Sequence, residues 1–132
     1  MEQYLTLELF IEDALCSVSI DKIYTIDITK EACEAIKKHT NLNICKYKFI
    51  IEEGYIRHVK NRHPEDLHLL YKVPVILNSF THVEKSITQD KQTKQNEVSL
   101  VFKKTFEDGT IKMVALRIIR GNILSLKTFY RT

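Results

Sequence analysis

Along the last third of the chain, apolar and polar positions alternate with a period of two. Three stretches carry the pattern, residues 97–106, 110–119 and 122–131, and they predict three β-strands. Glu107-Asp108-Gly109 and Arg120-Gly121 lie between them. Connections this short force antiparallel pairing, so this third reads as a β-meander. Residues 4–11 alternate too, with Leu5, Leu7, Leu9 and Ile11 on one side, and predict a half-buried strand. Residues 17–28 predict another, through Val18, Ile20, Ile26 and Ile28.

Between these stretches the pattern turns helical. Thr29 reads as the N-cap of a helix over 30–39, which Asn41-Leu42-Asn43 ends. Residues 46–51 predict a short strand or the lead into a second helix over 52–62, where Tyr55 and Val59 share a face. Pro64 disfavours helical geometry at His63 and stops that helix. Residues 67–77 read as a helical or irregular connector broken by Pro74, 82–87 as a further strand, and the apolar-free 88–96 as an exposed loop.

A chain of 132 residues suits one domain, and 44% hydrophobic content supports a core. The expected fold class is α+β. Helices cover one face of the C-terminal antiparallel meander, and residues 1–50 form a β/α extension with no assigned role. No basic, apolar leader opens the chain, and no apolar run approaches the roughly 20 residues of a membrane span. Cys16, Cys33 and Cys45 are an odd set without CxxC spacing. They read as three reduced, mostly buried thiols, which points to the cytoplasm.

Charge divides the chain. Residues 1–45 hold eight acids against four lysines, a net of −4; the remainder holds sixteen Lys and Arg against nine acids, a net of +7. The second part is suited to a polyanion such as RNA.

Side-chain parity locates candidate chemistry in the meander. With turns centred near Asp108 and Gly121, Lys104, Lys112 and Tyr130 fall in one cross-strand row, and Phe102, Val114 and Thr128 in the next. One end of the core-facing sheet surface then becomes cationic, which calls for water or an anion. The second helix supplies His58 and His63 among Arg57, Lys60 and Arg62. Imidazole both takes and gives a proton near neutral pH. Five helical residues turn His63 about 140° from His58, so a zinc ion shared by the two is not expected. His39, His68 and His82 stand apart and read as structural or surface residues. The chain lacks a phosphate-cradling Gly loop, a G-x-S-x-G elbow and an acidic pair spaced for two-metal catalysis.

The segment Arg57-His58-Val59-Lys60-Asn61-Arg62-His63-Pro64-Glu65 resembles the H-x-x-x-R-H-P-E helix of phage-associated Barnase–EndoU–colicin–RelE-like nuclease domains. Val73-Pro74-Val75-Ile76-Leu77-Asn78 resembles their I-P-x-I-L-x-N-P connector, with Ser79 in place of the last Pro. Leu126-Lys127-Thr128-Phe129-Tyr130-Arg131 resembles their closing strand. The resemblance covers about 51–131, and makes 51–132 the nuclease core. It implies a helix on an antiparallel sheet and RNA cleavage without metal or cofactor. The family's helix histidines fall on His58 and His63, its last-strand hydroxyl on Thr128, and its strand lysine on Lys104 or, second, Lys103.

These readings combine into an endoribonuclease, toxin-like or phage- or prophage-encoded, that drives 2′-hydroxyl attack to a 2′,3′-cyclic phosphate. The expected catalytic residues are His58, His63, Lys104, Thr128 and Tyr130. Arg57, Arg62, Lys103, Lys112 and Lys127 are expected to bind substrate, and no residue to bind metal. RNA is the expected partner, transfer RNA by family analogy, with an immunity or inhibitor protein as a second partner and no membrane. The alternative is a non-catalytic phage or prophage accessory module that binds RNA or protein.

Overall fold

The computed structural model of the chain describes residues 6–16 and 22–132. The elements in order are α1 (Leu7–Cys16), β1 (Ile23–Asp27), α2 (Lys30–Thr40), β2 (Lys48–Glu52), α3 (Glu53–Arg62), a 3₁₀ segment (Pro64–Lys72), α4 (Val73–Ser79), β3 (His82–Gln89), β4 (Asn96–Phe106), β5 (Gly109–Ile118) and β6 (Ile123–Arg131). The strands make one sheet in the order β1-β2-β6-β5-β4-β3. Its neighbours pair antiparallel except β2 and β6, which run parallel. The expected α+β class and C-terminal meander are found.

The core lies on one sheet face. Ile26, Phe49, Ile51, Val83, Leu100, Phe102, Ile111, Met113, Leu124, Leu126 and Phe129 pack there with helix residues such as Phe10, Ile11, Ile36, Ile56, Val59, Ile76 and Leu77. On the opposite face Val101 and Ile50 are also buried but stand outside that cluster.

Residues 4–11 do not form the expected strand. From Leu7 onward the chain is α1, while Tyr4 and Leu5 lie outside the described residues. Two periods competed in this stretch. The helical one places Leu7, Phe10, Ile11 and Ala14 on a single buried stripe and leaves Leu9 exposed. That stripe packs beside α3, and Thr6 opens the helix by accepting from the Leu9 N–H at 3.2 Å. Of the strand expected over 17–28, residues 23–27 form β1; Val18 and Ile20 lie outside the described residues.

Thr29 caps α2 by accepting from the Ala32 N–H at 3.2 Å, and Asn41 ends it in the left-handed region at φ 63°. The Asn78 side chain clamps this junction. Its Oδ1 accepts from the Thr29 N–H at 2.9 Å, and its Nδ2 donates to the Asp27 carbonyl at 3.3 Å. The connector asparagine therefore ties α4 to the β1–α2 corner.

The cysteines differ from expectation. Cys33 and Cys45 are joined in a disulfide, and Cys16 is exposed. Their Cα atoms stand 5.3 Å apart because α2 and the approach to β2 run side by side, a proximity that spacing in the sequence does not reveal. The disulfide removes the premise for assigning a reducing compartment. Among the described residues no helix is long and apolar enough to cross a membrane.

The meander register also differs from the expected one. Lys112 pairs with Tyr130 and Val114 with Thr128, as expected. On the other side, however, Lys112 pairs with Lys103, and Phe102 with Met113. The β4–β5 turn holds only Glu107 and Asp108, so the pairing slips by one residue from a turn centred on Asp108. A second device acts in β6. Ala115 pairs with Leu126 while Val114 pairs with Thr128, so Lys127 is an extra residue in a β-bulge. The bulge turns Leu124, Leu126 and Phe129 inward despite their mixed parity. Thr128 and Tyr130, with Lys112 and Lys103, consequently occupy the face opposite the helices. Lys104 lies on the helix side, opposite Ile111 and one strand from Arg131.

Candidate active site

The site forms where the sheet loses a strand. β2 pairs with β6 only through Ile123, Leu124 and Ser125. At Glu53 the chain leaves the sheet and becomes α3. The second half of β6 thus has α3, rather than a strand, along that side. Tyr55, on the first turns of α3, places its ring 6.1 Å from that of Phe129, edge to face.

A cavity of about 260 Å³ opens between these elements. Tyr55, His58, Val59, His63 and Asp66 line one wall, and Lys127, Thr128, Phe129 and Tyr130 the other. His58 lies three residues after Tyr55 and stacks near its ring, with centroids 6.2 Å apart. His63 caps α3, its N–H donating to the Val59 carbonyl at 2.8 Å, and its φ of −140° and ψ of 58° leave helical geometry there. The imidazoles of His58 and His63 then meet edge to face at 6.4 Å, against the divergence expected from continued helical rotation. Pro64 explains the departure, since it excludes helical geometry at the residue before it.

The Tyr55 hydroxyl is pushed up from 10.0 to about 12. Burial is the main cause; polar contacts with the Phe129 backbone and the Thr128 side chain pull it back, and the Asp66 carboxylate adds to the rise. The phenol therefore stays protonated through the neutral range, beside Thr128. Lys112 approaches from the adjoining strand, its Nζ 5.9 Å from the Tyr130 ring centroid.

The structure brings together five of the expected site residues, His58, His63, Thr128, Tyr130 and Lys127, around one cavity. Lys112 adjoins it through Tyr130, and Lys103 is one strand farther. Lys104, Arg57 and Arg62 do not line it. Arg57 instead reaches the fully buried Glu53 carboxylate at 3.9 Å. Tyr55, Phe129 and Asp66 are additions. The spacing of three between Tyr55 and His58 is a signal the sequence carries, beside the Tyr55–Val59 face that the sequence reading takes up, whereas Asp66 is delivered by the 3₁₀ turn.

His63, Glu65 and Asp66 bring ligand atoms within 4.8 Å of one another, close enough to share a divalent ion. His63 and Glu65 are exposed.

A family model for the phage-Barnase-EndoU-ColicinE5/D-RelE like nuclease 3 family, PBECR3, matches residues 27–132. The chain belongs to this nuclease family. The PBECR3 match begins at residue 27 rather than near 51, so it takes in α2 and β2 together with the helix and strand that carry the cavity. No curated protein and no solved structure matches the chain.

Proposed function

We propose that this PBECR3 nuclease is a metal-independent endoribonuclease acting in the cavity between α3 and β6. The observation that carries this reading is the convergence of two imidazoles with a strand hydroxyl and a lysine around one opening. Internal cleavage of RNA needs a base, an acid and charge stabilisation at phosphorus. One imidazole removes the proton from the 2′-hydroxyl, whose oxygen forms a bond to phosphorus. The other protonates the departing 5′-oxygen as its bond to phosphorus breaks. Thr128 and the neutral Tyr55 phenol donate to a nonbridging oxygen, and Lys127 and Lys112 offset the developing charge. The products are a 2′,3′-cyclic phosphate and a 5′-hydroxyl.

The His63–Glu65–Asp66 grouping favours a second reading, in which a divalent ion at those side chains takes part. Labelled RNA and DNA of one sequence, incubated in excess chelator, separate the two. Cleavage of the RNA alone, reduced about a hundredfold by Thr128→Ala, supports the proposal. Cleavage that requires added metal, or that consumes DNA equally, overturns it.

A further inference from the structure

The register aligns four side chains across the sheet face opposite the helices. Tyr130, Lys112, Lys103 and His82 are successive partners across β6, β5, β4 and β3. Three interstrand steps of about 4.8 Å make the row roughly 14 Å long, from the lip of the cavity to the edge of the sheet. The helices bury their apolar side chains on the other face. Tyr130 is 40% exposed, and the side chains of Lys103 and His82 are 39% and 54% exposed. Among the described residues, the Glu84 carboxylate stands beside the row. Glu84 lies 3.9 Å from Lys103 and 3.8 Å from His82, on the neighbouring row with Val101, Val114 and Thr128.

We propose that this row is a track along which single-stranded RNA continues outside the cavity. The proposal rests on the nuclease reading and deepens it by giving the substrate a path. Tyr130 offers a face on which a base stacks, and Lys112 and Lys103 then meet backbone phosphates in succession. His82 closes the track at the sheet edge. Glu84 holds the Lys103 ammonium while RNA is absent and competes with phosphate for it. A row with an exposed aromatic residue at one end and spaced lysines beyond it suits an unpaired strand, whose bases are free to stack.

Binding of fully 2′-O-methylated oligonucleotides to the intact chain tests the track without any turnover. The hexanucleotide is expected to bind at least tenfold tighter than the dinucleotide, with affinity that falls steeply as salt rises. Lys103→Gln removes most of that gain and lowers the log–log salt slope by about 1. Glu84→Gln strengthens hexanucleotide binding, a gain that impaired folding cannot imitate. Lys85→Gln, on the helix-side register of β3, leaves both affinities unchanged. Equal affinity for the two lengths overturns the track, as does wild-type hexanucleotide affinity and salt slope in both Lys103→Gln and Glu84→Gln. A chain that shows the length gain yet never cuts unmodified RNA retains the track and loses the nuclease reading.

Discussion

The imidazoles of His58 and His63 stand edge to face, 6.4 Å apart, although they occupy the body and the cap of α3. A continued helix would have carried them to different sides. The proline after His63 ends the helix and returns the second ring to the cavity wall. One ring must be neutral and the other protonated for the proposed chemistry, so kcat/KM is expected to be bell-shaped in pH. His58→Ala and His63→Ala should each lose one limb along with about 10²–10⁴ of the rate. A pH series of initial rates on a short RNA checks this; a pH-independent rate would count against both assignments.

Tyr55 couples the site to alkaline stability. Its folded-state hydroxyl titrates at about 12, above the ordinary value of 10.0. A raised value means that the folded state holds the proton longer than the unfolded one. The associated stability is fully present below pH 10 and is lost as pH rises toward 12. The loss is on the order of 2 kcal/mol. Urea midpoints between pH 9 and 12 should fall less steeply in Tyr55→Phe than in wild type.

The Cys33–Cys45 disulfide spans a sequence separation of 12. A loop of this size contributes about 2–3 kcal/mol by restricting the unfolded chain. Cys45 is exposed, so a reductant has access to the bond. Reduction should lower Tm by roughly 5–10 °C, and Cys33→Ser/Cys45→Ser should show the lower value with or without reductant.

Arg57 reaches Glu53, whose carboxylate is buried and accepts no hydrogen bond from the described residues. Removing the guanidinium leaves a buried carboxylate without that partner. Arg57→Ala should therefore cost about 3 kcal/mol, read as a shift in the urea midpoint. In Arg57→Ala/Glu53→Gln much of that loss should return. Equal midpoints for wild type and Arg57→Ala would assign the ion pair no role in stability.

How much of this was legible depended on whether the signal was local. Thr29, Asn41 and the two hairpin turns announce their elements through short-range chemistry, and those elements stand where the pattern puts them. The first helix is ambiguous in the sequence because Leu7, Leu9 and Ile11 satisfy a period of two, while Leu7, Phe10, Ile11 and Ala14 satisfy 3.6. Only packing beside α3 decides between them. The row containing Lys103 is hidden in the sequence because a turn shorter by one residue moves every partner on one side. The bulge at Lys127 then preserved the expected Val114–Thr128 pair while moving Thr128 to the opposite face. Parallel pairing of β2 with β6, which creates the cavity beside α3, joins segments more than seventy residues apart and leaves no local mark.

The most direct test examines the ends of the RNA fragments. Mass spectrometry after brief digestion in chelator should find 2′,3′-cyclic phosphate on one fragment and 5′-hydroxyl on the other, and the His58→Ala/His63→Ala chain should leave the RNA whole. Fragments ending in 3′-hydroxyl and 5′-phosphate, or equal cutting by that double variant, would contradict attack by the substrate's own hydroxyl in the cavity between α3 and β6.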